Sequence, residues 1–234
     1  MILEVEDIHT SYGLSRVLFG ISLHVDQGEV VALLGRNGVG KTTTLRSVMG
    51  LTKPQTGSVR WKGNEIIGMQ PFQIAQAGIG FVSEERKIFS DLTVWENLDV
   101  AAKSLGAATT QWTIERVFEF FPALERLKSR RGGYLSGGEQ QMLTIARTLM
   151  GNPQLILLDE PSEGLAPVIV QQLIGQITKL KKEGMTILLS EQNTEFSLKL
   201  SDRVYILEKG EVRYEGRVEE FMKDEEVHRT YLTV

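Results

Sequence analysis

The sequence contains no cysteine and only three histidines among its 234 residues. Without cysteine the chain has neither disulfide bonds nor thiolate zinc sites, which fits a reducing compartment. The histidines, His9, His24 and His228, are scattered along the chain, so we do not expect a histidine metal cluster.

Long apolar runs are also missing. The longest, residues 30–34 and 155–158, are far shorter than the roughly 18 residues that a membrane-spanning helix needs. The first seven residues carry acids where a signal peptide has a basic flank. These features predict a soluble, cytosolic chain that reaches a membrane only through partners. The net charge of −4 argues against a nucleic-acid partner, although it does not exclude a local basic patch.

Apolar segments of strand length alternate with helical segments. The runs 30–34 and 155–158 suit strands that are buried on both faces, as in a parallel sheet. Further strands are expected at 2–6, 17–25, 58–61, 65–67, 79–83, 185–189, 204–207 and 211–214. We expect helices over 41–49, from Pro167 to near Gly184, and, as one helix or a pair, over 218–232. This alternation predicts an α/β fold with a parallel sheet.

Residues 91–152 are helical in character and are predicted to be inserted between two sheet-forming halves. Thr93 with Glu96, and Ser136 with Glu139, match the capping box that begins a helix. Apolar residues recur at helical spacing over 113–121. We therefore treat residues 1–234 as one domain, with 1–90 and 153–234 forming the core and 91–152 a helical subdomain.

Residues 35–42 match the phosphate-loop pattern G-x-x-x-x-G-K-[ST] and lie between a predicted strand and a predicted helix. The glycines let the backbone curl so that its N–H groups form a nest for an anion. The helix that follows adds partial positive charge. In this chemistry Lys41 reaches the β- and γ-phosphates of a nucleotide, and the Thr42 hydroxyl ligates Mg²⁺.

A second motif is the apolar strand at 155–158 followed by Asp159 and Glu160. Ligands bind at the carboxyl ends of strands in such sheets. Asp159 is expected to hold Mg²⁺ through water, and Glu160 to orient or deprotonate an attacking water. Alternatively, the two acids cap the next helix.

A third stretch, Leu-Ser-Gly-Gly-Glu-Gln-Gln at 135–141, begins a helix and offers another anion site. With this stretch and the other two motifs, essentially the whole chain resembles the nucleotide-binding subunit of ABC transporters. The resemblance implies a P-loop NTPase with a RecA-like parallel-sheet core, an antiparallel β subdomain and an inserted α-helical subdomain. It implies binding and hydrolysis of ATP with Mg²⁺.

The resemblance also implies two subunits that face head to tail, with each ATP bound between them. Ser136, Gly137 and Gly138 would contact the ATP of the partner subunit, and Glu163, in the loop at 162–166, would face that subunit. Tyr12 would stack on adenine and Val17 would line the same pocket. The expected phosphate-binding residues are Gly35, Arg36, Asn37, Gly38, Val39, Gly40, Lys41, Thr42 and Thr43.

Two positions depart from the family pattern. Glu84 stands where the family usually has a glutamine that contacts Mg²⁺ and senses the membrane partner; its carboxylate can still ligate the metal. Gln192 stands where a histidine usually contacts the γ-phosphate. Its amide can donate a hydrogen bond but holds no proton near neutral pH. The expected catalytic residues are therefore Glu160, Lys41 and Gln192, and the metal ligands Thr42, Asp159 and Glu84.

Residues 78–89, 92–98, 162–167 and 187–193 look like the ATPase subunits of branched-chain amino acid importers, in which glutamine at position 192 is a familiar variant. The shorter, second type of subunit is the better match. The resemblance implies two permease subunits, a second ATPase subunit of the same or a related chain, and an extracytoplasmic solute-binding protein. It places the chain in the cytoplasm, at the inner face of the plasma membrane. Arg86, Lys87, Ile88 and Phe89 are candidate permease contacts.

Other functions are also considered. A urea or short-chain amide importer would use the same ATPase, and the phosphate loop also resembles that branch. Non-transport relatives that act on DNA repair complexes or ribosomes usually have long coiled coils or two ATPase units, which this chain lacks. A P-loop kinase would lack Glu160 and the 135–141 stretch. A module that binds ATP without turnover would not need Lys41, Thr42, Asp159 and Glu160 intact.

Overall fold

The computed structural model describes residues 1–102 and 112–223. In chain order its strands are β1 (Leu3–Tyr12), β2 (Ser15–Val25), β3 (Val30–Leu34), β4 (Thr56–Trp61), β5 (Asn64–Glu65), β6 (Ile79–Val82), β7 (Leu155–Asp159), β8 (Thr186–Glu191), β9 (Arg203–Glu208) and β10 (Glu211–Arg217). Its helices are α1 (Lys41–Val48), α2 (Pro71–Ala77), α3 (Val94–Asp99), α4 (Ile114–Phe120), α5 (Pro122–Arg126), α6 (Gly137–Met150), α7 (Pro167–Lys182), α8 (Thr194–Leu200) and α9 (Val218–Phe221).

A six-stranded sheet forms the centre of the fold, in the order β10-β9-β3-β8-β7-β6. The five strands from β9 to β6 are parallel, and β10 joins the edge antiparallel to β9. All residues of β3 and β7 are buried, as their continuous apolar sequences require of strands covered on both faces. The predicted parallel α/β sheet is confirmed.

The two faces of this sheet carry separate cores. Alternate residues of β3 show the division: Val30, Ala32 and Leu34 pack in the core that contains helices α3 to α9, whereas Val31 and Leu33 pack in the core that contains α1, α2 and a second sheet. That second sheet is antiparallel, in the order β2-β1-β4-β5. The side chain of a strand residue points to the face opposite to its neighbour's, so one strand can supply both cores.

Between β6 and β7 the described residues form no strand, and helices α3 to α6 occupy this part of the chain. The predicted capping boxes are confirmed: the Thr93 and Ser136 hydroxyls accept from the N–H groups of Glu96 and Glu139 at the starts of α3 and α6. The helix predicted over 113–121 is present as α4.

Several predicted bounds were wrong. The first strand runs on to Tyr12, and β5 ends at Glu65 rather than residue 67. Helices α2 and α8 were not predicted, because each is short and lacks a full apolar stripe, whereas α5 lies within the region predicted to be helical. Of the helix predicted over 218–232, Val218–Phe221 is helical, and residues 224–232, with His228, lie outside the described residues.

A buried arginine on β9, Arg203, forms hydrogen bonds with residues of both sheets. Arg203 donates to both carboxylate oxygens of Glu29, at 2.9 and 2.7 Å, and to the backbone carbonyl of His24 at 2.9 Å. It also donates to the Tyr205 hydroxyl at 2.7 Å and to Glu215 at 2.8 Å. Because the bidentate pair and the other acceptors satisfy the guanidinium, its burial is tolerated.

Candidate nucleotide-binding site

The phosphate-loop residues surround a cavity of about 350 Å³ at the carboxyl ends of the parallel strands. The cavity brings together residues from β2, from the loop between β3 and α1, from the loop after β6 and from the turn after β7. Its lining residues are Val17, Asn37, Gly38, Gly40, Lys41, Thr42, Thr43, Glu84, Glu160 and Glu163. Nine of these were predicted for the nucleotide site, and Glu163 was expected to face a partner subunit.

Two glycines shape the loop before α1. Gly40 has φ +111°, and a Cβ there would lie 2.6 Å from the Leu18 side chain. Gly38 has φ +81°, and a Cβ there would meet no atom within 4 Å. Glycine adopts these angles without steric cost, so the loop can curl between β3 and α1 and leave its outer side open to a ligand.

Lys41, the first residue of α1, is buried and turned back into its own loop. Its Nζ donates to the carbonyls of Gly35 and Arg36, at 2.8 and 3.1 Å. The same atom lies 2.9 Å from Oε1 of Glu160, which is also buried. The Lys41 ammonium group is therefore held between the loop and the end of β7, where it can bind a phosphate.

Thr42 and Asp159 are hydrogen-bonded to each other beside the cavity, whose lining includes Thr42 but not Asp159. Thr42 Oγ1 donates to Asp159 Oδ1 at 2.9 Å, and Ser190 Oγ donates to the same oxygen at 2.6 Å. Burial raises the pKa of Asp159, and these two hydrogen bonds oppose that rise. The sequence reasoning missed Ser190, although β8 pairs it directly with Asp159. The sequence signal that could have identified Ser190 is its hydroxyl near the carboxyl end of the next predicted strand, β8.

Hydroxyl and carboxylate oxygens are the ligands that Mg²⁺ prefers, so Thr42 and Asp159 fit this ion. Over residues 1–102 and 112–223, no group of three or more histidine or acidic side chains could hold a metal by itself. The ion would accordingly take its remaining ligands from nucleotide phosphates and water, as Mg²⁺ usually does.

Glu160 follows β7 in the left-handed region, with φ +45°. Its N–H donates to the carbonyl of Ser190 at 3.0 Å and to the Ser190 hydroxyl at 3.2 Å. A non-glycine residue held at such an angle costs on the order of 1–3 kcal/mol, and such strain is common at functional sites. The end of β8 therefore fixes where the Glu160 carboxylate stands.

Glu84 and Glu163 bring two more carboxylates to the cavity wall. The pKa of Glu84 is raised, first by loss of solvent around its carboxyl and then by the charges of Glu163, Asp159 and Glu160. This part of the wall is rich in negative charge, which a divalent cation would offset.

Two predicted residues stand away from this wall. Tyr12 ends β1, is half exposed, and its hydroxyl lies 3.3 Å from Thr52 Oγ1. Gln192 follows β8 and is exposed, next to the buried Glu191, which accepts from the N–H groups of Ser162 and Asn193. Neither Tyr12 nor Gln192 is among the cavity's lining residues.

Ser136, Gly137 and Gly138 lie at the start of α6, and they too are absent from the cavity lining. Ser136 is exposed, and its N–H and hydroxyl donate to Glu139 at 2.7 and 2.8 Å. A Cβ on Gly138 would lie 2.6 Å from Ile169, so packing against α7 requires glycine there.

The loop, the buried lysine and the Asp159–Glu160 pair on a parallel sheet define a P-loop NTPase. Residues 18–163 match the ABC transporter family. The chain is 43% identical over 210 residues to the high-affinity branched-chain amino acid transport ATP-binding protein BraG of Pseudomonas aeruginosa, covering 90% of each chain. It is 37% identical over 233 residues to the lipopolysaccharide export system ATP-binding protein LptB of Haemophilus influenzae, covering 99% and 97%.

A crystal structure of the ADP conformation of an ATP-binding cassette from an ABC transporter has a TM-score of 0.82 and 28% identity, covering 100% of this chain and 99% of that one. The chain therefore belongs to the ABC transporter family, as an ATP-binding subunit. It is an ATPase whose hydrolysis of ATP is coupled to transport. Such subunits dimerise and work with membrane permease components, through which they associate with the membrane. In the described ranges, the helices are too short or too polar to span a bilayer.

Proposed function

We propose that this chain energises an importer for branched-chain amino acids. The observation that supports this cargo is the 43% identity to BraG over nine-tenths of both chains. A probable branched-chain amino acid transport ATP-binding protein of Archaeoglobus fulgidus, LivF, adds 33% identity over 95% of this chain. Import also requires a solute-binding protein outside the membrane, which we include in the proposal. The chain would work at the cytoplasmic face of the plasma membrane.

In the proposed site, Lys41 binds the β- and γ-phosphates, and the backbone of 35–42 with Thr43 surrounds them. Thr42, Asp159 and Glu84 would hold Mg²⁺, which would offset the negative charge of the phosphates. Glu160 orients the attacking water, which its place 2.9 Å from Lys41 at the cavity wall supports. Gln192 donates to the γ-phosphate after a movement of the turn that follows β8.

The adenine end and the partner contacts complete the proposal. Val17 lines the cavity, and Tyr12 stacks on the base once its ring turns from Thr52. Ser136, Gly137 and Gly138 serve the nucleotide of a second subunit, which the exposure of Ser136 and the position of all three at a helix start outside the cavity support. Residues 1–90 and 153–234 act as the nucleotide-binding core, and 91–152 as the subdomain that carries this stretch.

Uptake of labelled substrates tests the cargo. Cells without this gene should lose most uptake of labelled leucine, and the wild-type chain should restore it. The Glu160→Gln chain, which keeps the shape of the site, should not restore it. Normal leucine uptake in the deleted strain contradicts the proposal.

Two other cargoes have specific support. The phosphate loop resembles the urea and amide branch, so loss of urea uptake alone would favour that importer. LptB is 37% identical over 99% of this chain, so a defect in lipopolysaccharide export with normal leucine uptake would favour an exporter. The same three strains distinguish these outcomes.

A further inference from the structure

Arg86 lies in the loop between β6 and α3, two residues after Glu84. Its backbone is left-handed, with φ +51°, and its N–H donates to the Ser83 carbonyl at 3.2 Å. The side chain is half buried and leaves its own loop, because its Nη2 donates to the backbone carbonyl of Glu163. One arginine thus joins the loop of Glu84 to the turn after β7.

The same guanidinium lies against two glycines. A Cβ on Gly137 would be 2.8 Å from Nη1 of Arg86, and a Cβ on Gly164 would be 3.5 Å from Nη2. The head of Arg86 therefore covers the backbone at the start of α6 and in the turn that contains Glu163. A side chain at position 137 would displace it.

A second arginine fixes the other half of the loop. Arg147, from α6, donates to the backbone carbonyl of Lys87, and its guanidinium carbon lies 4.9 Å from the centre of the Phe89 ring. Arg147 therefore contacts the two loop residues Lys87 and Phe89, which follow Arg86 in sequence. Of the four predicted permease contacts, Arg86 is the one whose side chain contacts the turn after β7 and the start of α6.

We infer that Arg86 is a positioning residue that fixes three segments relative to one another: the loop of Glu84, the start of α6 at 136–138, and the turn at 162–164. A planar guanidinium can donate to one carbonyl while its flat face covers neighbouring backbone, which an ammonium group cannot do. Arg86 would keep Glu163 beside Glu84 at the cavity wall and hold the α6 start in place for a partner's nucleotide. The effect on hydrolysis rests on the proposed use of that helix start in trans.

Amide hydrogen exchange of the full, nucleotide-free chain tests the positioning itself. Arg86→Ala should speed exchange about tenfold at the hydrogen-bonded amides of Glu163, Leu165 and Gln140, because the restraint on both segments is lost. The phosphate loop at 35–42 should be unchanged. Arg86→Lys should lie between wild type and Arg86→Ala. Lys87→Ala removes a neighbouring exposed charge and should leave exchange at these three amides unchanged.

Two exchange results would overturn the inference. In one, Arg86→Ala exchanges like the wild type at all three amides. In the other, exchange rises equally throughout the molecule, which would give Arg86 a general part in stability.

Steady-state hydrolysis tests the consequence. Arg86→Ala should lower kcat by about tenfold to a hundredfold, as misplacement of groups around a reaction does, with the ATP dissociation constant and the unfolding temperature unchanged. Arg86→Lys should recover part of the loss. A raised dissociation constant with normal kcat would overturn this consequence. A wild-type chain that hydrolyses no ATP even with its membrane partners contradicts the proposed function instead, and exchange then decides on Arg86.

Discussion

At the scale of single residues, Lys41 and Glu160 are each other's ionic partner inside the cavity wall, 2.9 Å apart and both buried. A phosphate that binds Lys41 competes with the Glu160 carboxylate for the same cation. Binding of nucleotide would thus release Glu160 towards the water that it is proposed to orient. The Lys41–Glu160 ion pair would then couple nucleotide binding to the positioning of Glu160 for hydrolysis.

Lys41→Ala tests the phosphate contact. A hydrogen bond to a charged group contributes about 1.5–3 kcal/mol, so ATP affinity should fall by roughly tenfold to a hundredfold. Isothermal titration with Mg-ATP measures this loss. Lys53→Ala removes an exposed lysine outside the cavity lining and should bind ATP as the wild type does. If Lys41→Ala binds Mg-ATP as tightly as the wild type does, Lys41 does not contact the phosphates.

Glu84→Gln tests the crowding of carboxylates. The pKa of Glu84 is raised in the folded protein, so its ionised form costs stability at neutral pH. Glutamine should therefore increase the free energy of unfolding at neutral pH, and the gain should vanish as pH falls towards the ordinary glutamate value of 4.5. Urea unfolding of the metal-free chain across this range measures the difference.

Glu85→Gln is the matched control with the opposite sign. Its hydrogen bond with Lys87 lowers the pKa of Glu85, so this carboxylate adds stability at neutral pH that is lost on acidification. If both variants shift stability in the same direction, local charge does not explain the effect of Glu84.

At the scale of elements, local signals decided which helices could be predicted. Helices α3 and α6 begin with capping boxes, in which both partners lie within four residues, so the sequence alone specifies them. In α2 only Ile74 is buried, and the residue at its N-cap is a glutamine. Its local signals are Pro71 in the first turn and the Gln73 side chain, which accepts from the N–H of Gln70, and the sequence analysis did not use them.

Ser136→Ala separates capping from function. Loss of the cap should destabilise the chain by about 1 kcal/mol. Thr93→Ala removes the same cap from α3 and should cost a similar amount, as denaturant unfolding can show. ATP hydrolysis should fall only with Ser136→Ala, since that hydroxyl is proposed to reach the partner's nucleotide. If ATP hydrolysis falls equally in both variants, Ser136 acts only as a helix cap and does not contact the partner's nucleotide.

At the scale of the whole molecule, the sequence predicted the strands of the central sheet and the phosphate loop, because the pattern that identifies each of them lies in consecutive residues. Contacts between distant segments were not predictable in this way. Ser190 reaches Asp159 only because β8 and β7 pair. Arg203 meets Glu29 across 174 positions of sequence. Arg86 was predicted as a candidate permease contact, because no residue near it in sequence indicates its contact with Glu163.

The role of Glu160 is tested most directly by phosphate release with Mg-ATP, measured for the wild type beside Glu160→Gln, with light scattering on both. We expect Glu160→Gln to bind ATP, release no phosphate and form an ATP-dependent dimer, whereas the wild type should turn ATP over. Retained binding matters, because it shows that the site is still folded. Wild-type hydrolysis by Glu160→Gln would contradict the central claim that Glu160 orients the attacking water.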